Sequence, residues 1–402
     1  MAGEAHGDSR GESHGGGVTA PTRRECFASV APGLEHIAAT ELSQLSVSDI
    51  KVTEGGVTFT ADDRALLRCN LRLRSVSRVI VRVAQFRATA FSELERLAKS
   101  VMWEEFVAAG DTVRLRVTCK KSILYHSDAV AERVMGAITS RVKGVRAASS
   151  ADEDESDESE TGPAQLFVVR FLRDVCTISA DSSGELLHRR GYRLATAKAP
   201  MRETLAASML LALGYDGSVP LVDAMCGAGT IPIEGALIAR HMAPGLGRTF
   251  RCEHWPEAGK RPGAAAVREK AAALAIPHAP QPILASDRDR GAAEATLANA
   301  ERAGVVDDVR IFQRALSSIE VPEGPGLLLV NPPYGGRVGE SDDLRNLYAQ
   351  LGNVARERCR GWTIGVLSAD RALERQVGLE FREVLTFRNG GIPVRLVAAV
   401  VP

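Results

Sequence analysis

Residues 331–334, Asn331-Pro332-Pro333-Tyr334, follow directly on the apolar run Gly326-Leu327-Leu328-Leu329-Val330, so they stand where a buried strand stops. Two prolines fix φ and remove two backbone donors, which leaves the carbonyls of the turn free to face a cleft. An asparagine side-chain oxygen beside a proline carbonyl makes two acceptors in fixed geometry. They can hold the two N–H bonds of an exocyclic amine while its nitrogen is aimed at an electrophile, and Tyr334 can stack on a planar base. The plainer reading is a proline turn that merely closes the strand. No metal is indicated: the seven cysteines never form a CxxC pair and the eight histidines never an HxxxH pair. The thiols read as reduced, most of them core residues.

A second constellation is Leu221-Val222-Asp223-Ala224-Met225-Cys226-Gly227-Ala228-Gly229-Thr230. A strand running into this sequence ends in a tight glycine turn, where backbone can approach a ligand at the carboxyl edge of a sheet. Pro232 stands where a dinucleotide fingerprint would carry its third glycine, and no Gly-Lys-Ser/Thr follows. That excludes the two common phosphate loops, while proline suits a first helical turn. Ile283-Leu284-Ala285-Ser286-Asp287 is the next strand to end in an acid. Asp287 is placed to accept both hydroxyls of a ribose, or else to cap the helix at 290–303, for which Gly304 is the stop signal. The 64 positions from Asp223 to Asp287 are long for one crossover, so an insertion at roughly 242–281 is expected.

Strand-like runs at 221–223, 283–287, 309–312, 327–330, 363–367 and 394–401 alternate with helical ones, the pattern of a doubly wound α/β sheet. Upstream, the Gly/Ser/His-rich residues 1–22 read as a disordered tail. Two small α+β units follow. The first opens near Cys26, with a helix after Pro32-Gly33, a turn and strand at 55–59, a helix at 62–71 and a strand near 79–83. The second opens at Phe91, where Ser92 and Glu95 have capping-box spacing. It holds a half-buried strand at 112–118, a helix after Ser127-Asp128 and a strand at 166–171.

Asp223-x-x-x-Gly227-x-Gly229-Thr230, Asp287 and Asn331-Pro332-Pro333-Tyr334 together resemble the motifs of class I S-adenosylmethionine-dependent amino-methyltransferases. Residues 223–234, 331–337 and Ser183-Gly184-x-x-Leu187-His188-x-Arg190-Gly191-Tyr192-Arg193 more narrowly resemble the THUMP-domain guanine-N2 RNA methyltransferases, bacterial enzymes acting on 23S ribosomal RNA above all. The likeness covers about residues 25–402. It implies a ferredoxin-like unit over 25–90, a THUMP domain over 91–182 with a loop insertion at 147–163, and a Rossmann-like catalytic domain over 183–402. That domain would have a mostly parallel seven-stranded sheet and use S-adenosylmethionine. By position, the resemblance implies that Asp223, Cys226, Gly227, Gly229 and Thr230 line the methionine end and that Asp287 binds the ribose. Pro200 and Glu203 would approach the cofactor from the preceding helix, and Asn331, Pro332, Pro333 and Tyr334 would hold the guanine. Two departures stand out. Ala315 occupies the place where many relatives carry an acid for the adenine amine, and the chain ends at Pro402 where some relatives continue into a second methyltransferase domain, so one mark is expected. A monomer is expected as well. The same chemistry on tRNA, amide or amine methylation of protein glutamine or DNA adenine, and a non-catalytic ribosome-assembly factor are the other readings.

Composition fits a globular protein of two or three domains, with 45% hydrophobic and 25% charged residues. No apolar run reaches the ~18–20 residues of a membrane span, and the start lacks the basic and apolar regions of a secretory signal, so a cytoplasmic place is expected. Fifty basic and fifty acidic residues cancel, but seven of the acids lie within residues 152–160. That run reads as a solvated loop or as an RNA-mimicking arm. Residues 21–195 outside it hold 25 basic and 17 acidic side chains, with seven arginines between Asp63 and Glu93 and no acid among them. A surface of this kind contacts phosphates. Arg72, Arg74 and Arg78 are its candidates, and Lys120 and Lys121, shortly before Tyr125-His126, extend it.

Overall fold

The computed structural model describes residues 23–148, 164–193, 201–256, 263–333 and 341–402. The tail 1–22, the acidic run 152–160, Pro200 and Tyr334 lie outside the described residues. The chain opens with β1 (Arg24–Ser29), α1 (Glu35–Ser43), β2 (Ser48–Thr53), β3 (Gly56–Ala61), α2 (Asp63–Arg72) and β4 (Arg78–Arg87). It continues through α3 (Phe91–Lys99), β5 (Thr112–Lys120), α4 (Ser127–Arg141), β6 (Arg146–Ala147), β7 (Gln165–Leu172) and β8 (Val175–Asp181). Asp62 caps α2 by accepting from the Ala65 N–H at 2.7 Å. The start of α3 falls where expected, but not through a box of Ser92 and Glu95. The helix begins one residue earlier, so Ser92 lies within the first turn, and Glu93 Oε2 accepts from the Thr89 N–H (2.9 Å) and hydroxyl (3.2 Å).

The two α+β units share one sheet, in the order β2-β3-β1-β4-β8-β7-β5-β6. β4 is the shared strand, antiparallel to β1 on one side and to β8 on the other, with Ile80 opposite Asp181. Burial of Val79 and Val81 explains why it sits in the middle rather than at an edge. The seam beside it is polar. Asn70 Nδ2 donates to Ser182 Oγ (3.0 Å), Ser183 Oγ donates to Asn70 Oδ1 (2.6 Å), and the Val79 N–H donates to Ser183 Oγ (2.9 Å). Asp181 accepts from the Ser183 and Gly184 N–H groups and pairs with Arg78.

Two of the arginines expected on an RNA-facing surface are therefore inside. Arg78 is 6% exposed and spends its guanidinium on Asp181 and the Gly184 carbonyl (3.0 Å). Arg74 reaches into the other half of the molecule, donating to the Leu237 (3.1 Å) and Met242 (2.6 Å) carbonyls. Burial pulls its guanidinium down to about 10. Both serve cohesion, because a desolvated guanidinium must be met by acceptors wherever the fold supplies them.

The second half contains α5 (Glu203–Ala212), β9 (Leu221–Asp223), α6 (Thr230–Ala239), α7 (Ala264–Ala272), β10 (Ile283–Asp287), α8 (Arg290–Ala303) and β11 (Val309–Gln313). β12 (Leu327–Val330), α9 (Ser341–Arg358), β13 (Thr363–Ser368), α10 (Arg371–Val377), β14 (Arg382–Asn389) and β15 (Ile392–Val400) complete it. Its seven strands run β11-β10-β9-β12-β13-β15-β14, parallel from β11 to β13 and antiparallel at β15 and β14. β14 escapes the sequence pattern because it is an edge strand, largely exposed and rich in charge. The insertion after α6 braces the first sheet. Its α7 packs on α2, while Arg251 Nε (3.0 Å) and Trp255 Nε1 (2.9 Å) both donate to Gln165 Oε1. Among the described residues no helix is long and apolar enough to cross a membrane.

Candidate active site

β9 lies between β10 and β12, and the chain runs on from β9 to β10 and from β12 to β13, toward opposite flanks of the sheet, so the carboxyl ends of β9 and β12 border a switch point. Parallel register sets Leu327 opposite Leu221 and Ala285 opposite Asp223, which brings Asp223, Asp287 and Asn331 to one edge. Asp223 is 1% exposed and accepts the Met225 N–H at 3.1 Å. Burial, joined by the nearby Asp287 charge, pushes its carboxyl up to about 8. Asp287 Oδ2 accepts the Gly227 N–H (3.0 Å) and its Oδ1 the Asp289 N–H (3.0 Å). The capping alternative for Asp287 falls away: Asp289 caps α8, accepting from Ala292 at 2.9 Å.

The loop between β9 and α6 needs its glycines. Gly227 has φ +52° and Gly229 φ +83°, and a Cβ on Gly229 would sit 2.6 Å from Thr296 Cγ2. Thr230 is buried in the first turn of α6. Cys226 turns its buried thiol to Thr296 Oγ1 (3.5 Å), and burial pushes that thiol up, so the residue offers the loop its backbone and no nucleophile. Sequence reasoning missed the inner face of α8. Thr296 Oγ1 donates to the Gly227 carbonyl (2.9 Å) and Asn299 Nδ2 to the Ala228 carbonyl (2.8 Å). The available signal was two polar residues three apart on the face that helical periodicity turns inward.

Glu203 is buried in the first turn of α5 and pairs with Arg193 Nη2 at 3.2 Å; burial lifts it to about 7. Asn331 Oδ1 and Ser286 Oγ are buried with no hydrogen-bond partner among the described residues. Pro332 is buried and Pro333 half-buried, and Tyr334 lies outside the described residues. Ala315 is exposed at the head of a 3-10 turn, its carbonyl accepting the Ser318 N–H at 2.9 Å, so it offers no side-chain ligand. In the first sheet, Lys120 and Lys121 are exposed at the end of β5, beside Ile123 (61%) and Tyr125 (67%). Asp174 ties that loop down, its Oδ1 accepting the Ile123 N–H at 2.8 Å. Arg72 is half-buried at the end of α2. Among the described residues no group of three His, Cys, Asp or Glu side chains could hold a metal ion.

A glycine turn after the first strand of a doubly wound sheet, an acid ending the second and Asn-Pro-Pro ending the fourth define a class I methyltransferase. The matching family descriptions are the RMKL-like methyltransferase domain over 190–398, the RlmL ferredoxin-like domain over 25–80 and the THUMP domain over 88–181. The chain belongs to the RMKL-like methyltransferase family, and its cofactor is S-adenosylmethionine. It is 34% identical over 384 residues to a Synechocystis protein named "Putative RNA methyltransferase", covering 93% of this chain and 96% of that one. It spans about half the length of the relatives named ribosomal RNA large subunit methyltransferase K/L, 52% of the one from Syntrophotalea carbinolica at 34% identity over 92% of this chain. A Listeria monocytogenes structure described as a "predicted N6-adenine-specific DNA methylase" superposes with TM-score 0.82 at 33% identity, over 95% of this chain and 97% of that one. SMU.472, described as a putative methyltransferase complexed with SAH, superposes with TM-score 0.81 at 26% identity, over 94% and 98%.

Proposed function

We propose that the chain methylates the exocyclic N2 amine of a guanine in 23S ribosomal RNA, in the cytoplasm. The observation that carries this reading is the buried, unpartnered Asn331 Oδ1 at the end of β12, an acceptor held out of water with nothing bonded to it among the described residues. A buried acceptor left open is costly, so a site that keeps one has a donor to receive. Asn331 Oδ1 and the Pro332 carbonyl accept the two N–H bonds of the amine, and Tyr334 stacks on the base. Asp223 and the backbone of Cys226, Gly227, Gly229 and Thr230 bind the methionine end of the cofactor, Asp287 its ribose, and Pro200 and Glu203 close that side.

S-adenosylmethionine supplies a methyl group on a sulfonium. Everything else is positioning by the protein. The guanine amine is a poor nucleophile because its lone pair is conjugated into the ring, and aligned reactants gain up to about 7–11 kcal/mol over free ones. The acceptors favour the pyramidal, positively charging nitrogen of the transition state over the flat ground state. The nitrogen's proton, acidic once the methyl is on, passes to solvent water, so no strong base is needed. The base must leave its stack to enter such a turn, which calls for flipping or an unpaired target.

The names of the K/L relatives and the THUMP match support RNA over the DNA adenine named for the Listeria protein. The basic surface that supports RNA is smaller than composition suggests, resting on Arg72, Lys120 and Lys121. Nucleoside mass spectrometry decides, with labelled cofactor, unmodified 23S rRNA, tRNA and duplex DNA as substrates and Asn331→Ala as control. N2-methylguanosine from rRNA alone is the expected product. Label in tRNA would keep the chemistry and overturn the substrate, and N6-methyladenosine would overturn both.

A further inference from the structure

A trans peptide carries its C=O and N–H on opposite sides. In the loop after β9, the Gly227 and Ala228 carbonyls both turn to α8, where Thr296 Oγ1 (2.9 Å) and Asn299 Nδ2 (2.8 Å) donate to them. The Ala228 N–H therefore points away from α8, while the Gly227 N–H goes to Asp287 (3.0 Å) and the Gly229 N–H folds back to the Cys226 carbonyl (2.8 Å). The face this loop presents is set from behind.

Asn299 could meet Ala228 with either end of its amide, and only the NH2 end bonds a carbonyl. Arg302 decides which. A guanidinium can only donate, and Arg302 Nη2 bonds Asn299 Oδ1, which leaves the NH2 for Ala228. Arg302 is held in turn by the Tyr192 carbonyl, to which its Nε donates at 2.6 Å. The Tyr192 hydroxyl donates to Glu234 Oε1 (3.1 Å) on α6, Arg190 Nε reaches the same oxygen (3.4 Å), and Arg190 Nη2 donates to the Arg74 carbonyl (2.7 Å). A line of bonds thus joins the segment between α2 and β4 to the glycine loop. Thr296 is fully buried and Asn299 is 3% exposed, so these contacts are made out of water, where geometry is held best.

We propose that Asn299 and Arg302 are positioning residues for S-adenosylmethionine, Arg302 orienting the Asn299 amide and Asn299 orienting the glycine loop. The inference rests on assigning that loop to the methionine end of the cofactor. The test is calorimetric titration of S-adenosylhomocysteine into the whole chain without RNA, beside thermal melting and steady-state methylation. Asn299→Asp keeps the size and the acceptor for Arg302 but sets an oxygen against the Ala228 carbonyl. Its Kd and its KM for the cofactor are expected to rise about tenfold or more, the scale of one spoiled buried hydrogen bond, with kcat at saturating cofactor within about twofold and a melting temperature lowered by that same lost bond. Arg302→Gln, which can present either end of its own amide to Asn299, is expected to shift Kd in the same direction by a smaller factor. Wild-type Kd in both variants, or a lowered melting temperature with wild-type Kd, would overturn the positioning role. Failure of the unsubstituted protein to bind would instead overturn the cofactor assignment beneath it.

Discussion

The seam beside β4 and the edge formed by β9 and β12 are both buried and polar, yet they are finished differently. At the seam Asn70, Ser182, Ser183 and Asp181 exchange bonds with one another and with backbone until each is engaged. At the strand edge, Asn331 Oδ1 and Ser286 Oγ are left open among the described residues, and burial lifts Asp223 to about 8. Closed polar clusters hold a fold together, whereas open ones keep binding capacity in reserve.

Substitutions on the two sides should part company. Asp181→Ala leaves the Arg78 guanidinium buried without its partner, and denaturant melts should show a loss of about 3–5 kcal/mol. Burial raises the Asp181 carboxyl in spite of the guanidinium, so the pair is held by its several hydrogen bonds as much as by charge. Asn331→Ala removes an oxygen that no described group uses. Its melt should hold or rise slightly, since a costly open acceptor is gone, while single-turnover methyl transfer falls about 10²–10³-fold. A destabilised Asn331→Ala protein with near-normal turnover would erase the distinction.

Asp223 gives a pH signature. Its carboxyl is mostly protonated below about 8 in the free protein, and a cationic cofactor group binds the ionised form. Cofactor affinity should fall about tenfold per pH unit as pH drops from 8 to 6, measured by titration, and level off above 8. Asp223→Asn should flatten that slope. The smallest effect belongs to the exposed tip of β5. Replacing Lys120 and Lys121 by Ala should lower the slope of log affinity against log salt by about 1.4 for unpaired RNA, two phosphate contacts' worth, and leave the melt alone.

The strand edge was legible because its signals are local: a hydrophobic run, then a turn whose residue types leave few conformations. Asn331-Pro332-Pro333 and the glycines at 227 and 229 carry their geometry in their own dihedral limits. Arginine carries none. Arg78 and Arg74 look like surface charges in sequence because their partners, Asp181 and the Leu237 carbonyl, lie 103 and 163 residues away. Thr296 and Asn299 hid in an alanine-rich helix for the same reason, since the carbonyls they serve come from a loop about seventy residues earlier. The sharing of one sheet by two units was likewise invisible, because an alternating strand does not say which neighbours flank it.

That shared sheet bears on how the protein is made. β4 is complete at Arg87, but the β8 strand that covers one of its sides ends at Asp181, nearly a hundred residues on. At a ribosomal pace of roughly 5–20 residues per second, the nascent chain carries an uncovered hydrogen-bonding edge for some 5–20 s. Through that interval the first unit is a template open to any passing strand, and it is closed only by the arrival of its own distant partner.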